Sequence, residues 1–331
     1  MTTIRSTTGA PHARILGVGG YRPSRIVTNA EICERIDSSD EWIRTRSGIV
    51  TRRWATDEET VAYMSVAAGG KALADAGIPA DQVDGVLVAT VSHLTQTPAI
   101  ATTVAAELGA AGACAFDISA ACAGFCYGIE LAQAMVRSGS ASHVLVIGVE
   151  RLSDLTDLSD RSTAFLFGDG AGAALVGPSE EPGIGPVVWG SDGAQADVIR
   201  QKSEWDSAVE SGEFPHLTMR GNQVFRWASY EMAKVAQQAL DAAGVSPHDL
   251  DAFIPHQANM RITDAMARAL KLPDHVVIAR DIAEQGNTSA ASIPLAMERM
   301  LEAGEIKSGD TALIIGFGAG LVYAAQVVRI P

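Results

Sequence analysis

The sequence predicts an α/β protein built from two duplicated halves, each a mostly parallel sheet covered by helices. Three observations carry that expectation. The composition is 47% hydrophobic but only 5% aromatic, with 32 glycines in 331 residues, which suits buried parallel strands and small residues at helix contacts. Helical segments alternate with Val- and Ile-rich runs, the mark of βα units. The chain also repeats itself. ALADAGIPADQVDGVLVA (72–89) matches ALDAAGVSPHDLDAFIPH (239–256) at an offset of 167, HVLVIGVE (143–150) resembles TALIIGFG (311–318) at 168, and ISAA (118–121) resembles TSAA (288–291) at 170. Three matches in order at nearly constant spacing imply two copies of one unit about a pseudo-twofold axis, with a period far longer than a solenoid repeat.

Within the first half, 58–77 is expected to be a helix, 85–91 a strand, 98–109 a short helix, 113–118 a strand, the residues from 122 a buried helix and 143–150 a strand. The second half follows the same order. The glycine-rich runs FGDGAGAALVG (167–177) and GFGAGLVYAAQVV (316–328) are expected to be hairpins closing each half. PSEEPGIGP breaks the pattern near residue 178, giving an N-terminal half 1–178 and a C-terminal half 179–331. Such a chain is one large domain or two fused units, and two sheets packed about shared helices accommodate both.

Several function classes are disfavoured. No run approaches the ~20 apolar residues that span a bilayer, and MTTIRSTTGAPHARI lacks the apolar core of a signal peptide, so a soluble cytoplasmic protein away from membranes is expected. A net charge of −14, from 25 basic and 39 acidic residues, repels nucleic acid, and no basic tract offsets it. Cys33, Cys114, Cys122 and Cys126 are too sparse for a disulfide framework, and no CxxC pair with its histidines suggests a metal site. Neither FGDGAGAA nor GFGAG is a GxGxxG fingerprint at a strand-to-helix turn. No cofactor is expected.

Chemistry concentrates in DISAACAGFCYG (117–128). ACAFDIS is expected to be a strand and the residues from Ala121 a helix, with Gly124 and Gly128 one turn apart for close packing, so Cys122 falls at the junction. There the helix macrodipole and unpaired N–H groups would lower a thiol pKa and sharpen a nucleophile. Cys126, one turn deeper, reads as a small core residue. Position alone leaves Cys122 open between nucleophile and buried structural residue. Pseudo-symmetry places FIPHQANMRI (253–262) and QGNTSAASIP (285–294) opposite this turn, so His256 and Asn287 are the groups to examine, with Ser292 or its neighbour as the counterpart of Cys122. Alone, His256 also reads as a satisfied strand-end histidine, and Gly286-Asn287 as a turn.

Taken together, DEWIRTRSGI, AACAGF, FGDGAGAA, PHQANMRI, GNTSAAS and GFGAG occur in an order that resembles β-ketoacyl-acyl carrier protein synthase III over nearly the whole chain. The resemblance implies a thiolase-like, five-layered αβαβα fold and a homodimer. It also implies a catalytic set of Cys122, His256 and Asn287. GFGAG lacks the second catalytic cysteine expected of a thiolase, which argues against reversible thiolysis. Asn287 stands where elongating ketosynthases carry a second histidine.

The implied reaction is a decarboxylative Claisen condensation of an acyl-CoA, as substrate, with malonyl-acyl carrier protein through an acyl-Cys122 intermediate. The backbone N–H groups of Cys122 and Ala319 would form the oxyanion hole. Trp42 would lie near the adenine of CoA, Arg46 and Arg161 near its nucleotide end, and Gly221, Asn222 and Arg261 toward the tunnel mouth, although DEWIRTR alone also reads as a charged loop. Arg226, Arg261 and Arg268 are candidates for docking the acidic carrier protein. Thr97 matches the position presented to the end of the partner subunit's acyl pocket, where a small residue would admit branched or medium-length starters. Initiation of fatty acid synthesis and starter selection in a polyketide pathway both remain open, as do a non-condensing acyltransferase and a silent scaffold that binds the carrier protein.

Overall fold

The computed structural model describes residues 4–331. Its first sheet contains β1 (His12–Tyr21), β2 (Gly85–Ala89), β3 (Cys114–Ile118), β4 (Val144–Arg151) and β5 (Asp169–Ser179), in the order β1-β5-β4-β2-β3. The second contains β6 (Val188–Ser191), β7 (Ala252–Pro255), β8 (Val277–Ile278), β9 (Thr311–Gly318) and β10 (Val322–Arg329), in the order β6-β10-β9-β7-β8. In each sheet the last three strands of that order are parallel, and each of the first two pairs antiparallel with the strand that follows it in the order. The two sheets thus have the same topology, as the repeat requires.

Six helices complete the layers: α1 (Val61–Ala76), α2 (Ile100–Leu108), α3 (Gly124–Ser138), α4 (Gly221–Ala243), α5 (Met260–Ala269) and α6 (Ser292–Glu302). The pleat of β2 explains the sandwich. Val86 and Val88 enter an outer core with α1 and α2, whereas Leu87 and Ala89 enter the central core. That central core also takes Phe125 and Ile129 of α3, Ile293 and Met297 of α6, and Ile254 and Ile314 from the second sheet. α4 and α5 cover the far face of the second sheet. The result is a five-layered αβαβα thiolase-like fold whose halves share one core. Each large aliphatic side chain buried there contributes roughly 1.5–3 kcal/mol. A Cβ on Gly124 would come 2.7 Å from the Ala89 Cβ, and one on Gly128 would come 2.5 Å from Val146 Cγ1, so α3 reaches the sheet only through its glycines.

Local signals set the boundaries. Thr60 accepts a hydrogen bond from the Tyr63 N–H and starts α1 at Val61, and Gly77, left-handed at φ 67°, ends it. The Asp117 carboxylate at the end of β3 accepts from the N–H groups of Ile100 and Ala101 and caps α2. FGDGAGAALVG is not a hairpin: it forms β5, a single strand running antiparallel to both β4 and β1. Its glycines admit close packing rather than a turn. GFGAGLVYAAQVV does contain the β9–β10 turn.

The repeat register also needs correction. Ala121 and Ser289 share an uncommon positive φ (43° and 47°) and each opens a short 3₁₀ turn, Ala121–Ala123 or Ser289–Ala291, before α3 or α6. The offset there is 168, so Ala290 and not Ser292 is the counterpart of Cys122, and Ser292 corresponds to Gly124. The SAA match at 170 aligned small residues rather than equivalent backbone. No helix among the described residues is long and apolar enough to cross a membrane.

Candidate active site

A tunnel of about 1030 Å³ runs from the surface to the junction of the halves, and Cys122, His256, Asn287 and Ala319 all line it. Cys122 sits in the 3₁₀ turn between β3 and α3. The strand end of β9 presses against it: a Cβ on Gly318 would come 2.9 Å from Cys122 Sγ and 3.0 Å from its backbone N. Only glycine lets the β9–β10 turn, with Ala319, reach the Cys122 sulfur. Lost hydration pushes the thiol's pKa up to about 12, with the Ser289 hydroxyl pulling down and the Glu150 carboxylate pushing up. Burial thus works against the lowering that a helix N-terminus gives.

His256 follows β7, is 2% exposed and is anchored by its N–H donating to the Ile315 carbonyl. Its ring meets Phe317 edge-on at 5.3 Å. Burial lowers its pKa to about 3, so the imidazole is neutral. Nδ1 lies 2.7 Å from Ser292 Oγ, which also accepts from the Gln257 N–H. Both contacts are satisfied when the Ser292 hydroxyl donates to Nδ1, which leaves the proton on Nε2.

Asn287 is held from the other half, with its N–H donating to the Leu166 carbonyl and its own carbonyl accepting from the Gly168 N–H. This is where FGDGAG acts, tying the Asn287 loop to the first half. Asn287 Oδ1 accepts from the Ser289 N–H at 2.9 Å, which turns the amide so that Nδ2 is the group left to donate. A thiol, a neutral imidazole and a side-chain amide therefore line one tunnel.

Toward the mouth, DEWIRTRS is a short helix, Asp40–Ser47, capped by Ser39 and ended by Gly48, and not a loop. Trp42 and Arg46 line the tunnel with Gly221, Asn222 and Arg261. Arg161 lies outside the lining and holds its guanidinium over the Trp42 ring at 5.2 Å, while Phe165 meets that ring edge-on. Arg261 lies over Phe225 at 4.8 Å. Arg226 and Arg268 are exposed on α4 and α5 beyond the lining. Thr97 is exposed and lies outside the lining of its own tunnel, although Leu94, Thr95 and Gln96 just before it belong to that lining.

Three polar groups around the site escaped the sequence reading: Ser292 as the partner of His256, Ser289, and Glu150 near the end of β4. Only Glu150 left a trace, as a lone charge closing the apolar run VLVIGV. Among the described residues no cluster of three or more His, Cys, Asp or Glu could hold a metal ion.

A duplicated αβαβα sandwich around such a tunnel defines a condensing enzyme of the thiolase fold. Models of the 3-oxoacyl-[acyl-carrier-protein (ACP)] synthase III family match residues 116–193 and, for its C-terminal part, 240–330. The β-ketoacyl-[acyl-carrier-protein] synthase III of Streptomyces glaucescens is 67% identical over 333 residues, and synthase III 1 of Streptomyces coelicolor is 66% identical over 343, each covering 100% of both chains. The crystal structure of the priming β-ketosynthase from the R1128 polyketide biosynthetic pathway superposes with a TM-score of 0.97 at 49% identity, covering 100% of this chain and 99% of that one. The chain belongs to the β-ketoacyl-acyl carrier protein synthase III family.

Proposed function

We propose that Cys122, His256 and Asn287 carry out the family's reaction in two stages: an acyl-CoA and malonyl-acyl carrier protein give a 3-oxoacyl-carrier protein, CoA and CO2. The observation that carries this reading is the convergence of thiol, neutral imidazole and amide donor at the floor of one tunnel. The tunnel has room for a pantetheine arm and a short acyl chain.

In the first stage the Cys122 sulfur attacks the thioester carbonyl, the C–S bond to CoA breaks, and the acyl group stays on the enzyme. The Cys122 and Ala319 N–H groups are the donors assigned to the oxyanion, a contact of the kind typically worth ~3 kcal/mol per donor. In the second stage malonyl-carrier protein loses its carboxylate as CO2, and the electron pair moves onto the thioester as an enolate. His256 Nε2–H and Asn287 Nδ2–H donate to that oxygen. No side chain removes a carbon-bound proton, because decarboxylation supplies the carbanion. The carbanion attacks acyl-Cys122 and the thiolate leaves. No cofactor takes part, and CoA enters only as a substrate.

The test is to incubate the enzyme with a series of acyl-CoAs and weigh the peptide containing Cys122, then add malonyl-carrier protein and measure the 3-oxoacyl product. Acylation followed by product is expected. Acylation without product would favour a plain acyltransferase, and no acylation a silent scaffold.

We further propose a cytoplasmic homodimer. The edge strand β3 leaves Phe116 and Cys114 exposed, and Leu94 is exposed too; an unpaired edge of this kind can be covered by a two-fold copy that continues the sheet. Such a dimer would bring Thr97 of one subunit to the partner's acyl pocket. Thr97→Phe is then expected to lower isobutyryl-CoA turnover relative to acetyl-CoA by about tenfold, since two buried methyl groups are worth ~1.6 kcal/mol. An unchanged ratio in single-turnover acylation would remove Thr97 from the pocket. Arg226, Arg261 and Arg268 make no ion pair among the described residues, which supports a docking face for the acidic carrier protein. Starter selection for a polyketide is the second biological setting, favoured by the likeness to the R1128 priming enzyme.

A further inference from the structure

We propose that Ser289 and Glu150 form a proton relay that takes the Cys122 thiol proton during acylation. The inference rests on Cys122 being the nucleophile and concerns how that thiol is activated.

Glu150, one residue before the end of β4, has 0% exposure and lies outside the tunnel lining. One carboxylate oxygen is crowded: Oε2 accepts from Ser92 Oγ at 2.6 Å, the Val91 N–H at 3.2 Å and Thr90 Oγ1 at 3.3 Å. The other, Oε1, is buried with no hydrogen-bond partner, and so is Ser289 Oγ. A purely structural carboxylate would place both oxygens among donors. The 3₁₀ turn Ser289–Ala291 packs on β4, close enough that a Cβ on Gly148 would come 2.2 Å from the Ala290 carbonyl oxygen. Ser289 also lines the tunnel with Cys122. Its hydroxyl lies near enough to the Cys122 thiol and the Glu150 carboxyl to favour the charged form of each, without a completed hydrogen bond to either. The Ser289 turn thus packs on the strand that carries Glu150 while Ser289 itself shares the tunnel lining with Cys122, and the Glu150 carboxylate is sealed from solvent.

His256 is poorly suited to the same task. Its Nδ1 is engaged by Ser292, and burial makes the imidazolium costly. Glu150, raised by burial to about 7, is a carboxyl suited to accept and release a proton near neutral pH. The thiol proton moves to Ser289 Oγ as the Ser289 proton moves to Glu150 Oε1. The thiolate then forms its bond to the acyl carbon, and the CoA sulfur leaves as a thiolate and takes a proton from solvent. Glu150 releases its proton to solvent before the next turnover. The titratable group facing Glu150 is Cys122; Thr90, Ser92 and Ser289 are hydroxyls and Val91 is a backbone amide. Arg151 turns to Asp154 and Asp57, and Asp169 on β5 is engaged by Ser153 and Ala55.

The test is stopped-flow acylation by acetyl-CoA across pH 5–9 for the wild type, Glu150→Gln and Ser289→Ala, with malonyl-carrier protein decarboxylation measured in parallel. The glutamine keeps an oxygen to accept from Ser92 and Val91 but cannot take a proton. Wild-type acylation is expected to rise with pH through about 7, because the carboxylate is the active form. Both variants are expected to acylate on the order of 10²-fold more slowly at pH 7, with the Glu150→Gln profile losing that inflection and decarboxylation staying within about threefold of wild type. Ser289→Ala acylating at the wild-type rate overturns the relay, and it decides the matter if Glu150→Gln fails to fold. Equal loss of acylation and decarboxylation overturns it too, by marking a structural role. Wild-type enzyme that never acylates Cys122 would instead remove the nucleophile assignment beneath it.

Discussion

Replacing Cys122 by alanine is expected to abolish the acyl-enzyme and slow condensation by on the order of 10⁴-fold or more, because no other group can hold the acyl chain between the half-reactions. Cys126 provides the control. It is four residues along, fully buried in the central core beside Phe125 and Ile129, and its thiol is pushed up to about 12 by burial. The two cysteines share that property, so what separates them is access: Cys122 lines the tunnel and Cys126 does not. Cys126→Ala is expected to acylate normally and to cost only the stability of a small cavity, ~1 kcal/mol. Intact-mass measurement after incubation with acetyl-CoA reads both. Acyl mass persisting in Cys122→Ala would place the nucleophile elsewhere. Malonyl-carrier protein decarboxylation should survive the substitution, because the donors that stabilise the enolate stand on the other half of the molecule.

The parts of this arrangement that the sequence disclosed are those encoded locally or by repetition. Alternating Val86, Leu87 and Val88 announce a doubly covered strand, and the 167-residue offset between GVLVA and its counterpart forces a second sheet of the same topology. Cys122 is legible because a strand ends and a helix begins around it. Opposing terms of three-dimensional origin were not legible. The sign of the thiol shift depends on how far β9 and the Ser289 turn strip water from the sulfur, and neither is near it in sequence. Ser292 was noticed for a symmetry role it does not have, whereas its contact with His256 joins residues 36 apart through the packing of α6 on the second sheet. Arg161, expected at the nucleotide end of CoA, stacks on Trp42, a contact between residues 119 apart that can hold the indole.

The second large effect separates the half-reactions. His256→Ala is expected to leave acyl transfer from acyl-CoA to Cys122 within about tenfold of wild type while slowing decarboxylation and condensation by ~10²–10³-fold, the loss of one donor to a developing oxyanion. Asn287→Ala is expected to act alike. Charge explains why neutral donors suit this step. An imidazolium in a water-free site would hold the malonyl carboxylate through ion pairing and resist its loss, whereas a neutral N–H gains strength only as the enolate forms. Burial keeps His256 neutral down to about pH 3, because the folded protein disfavours the charged form. The decarboxylation rate is therefore expected to show no histidine inflection between pH 5 and 8. Ser292→Ala tests the proton's position: with Nδ1 unpartnered, the Nδ1–H tautomer becomes accessible and competes with the Nε2–H form that faces the tunnel. The expected result is a roughly tenfold slower decarboxylation with unchanged Cys122 acylation, together with ring ¹⁵N chemical shifts moving toward the Nδ1–H form. Shifts that stay put in Ser292→Ala would mean that the tautomer is set by Nε2 and its surroundings in the tunnel, leaving Ser292 as a packing residue beneath the ring.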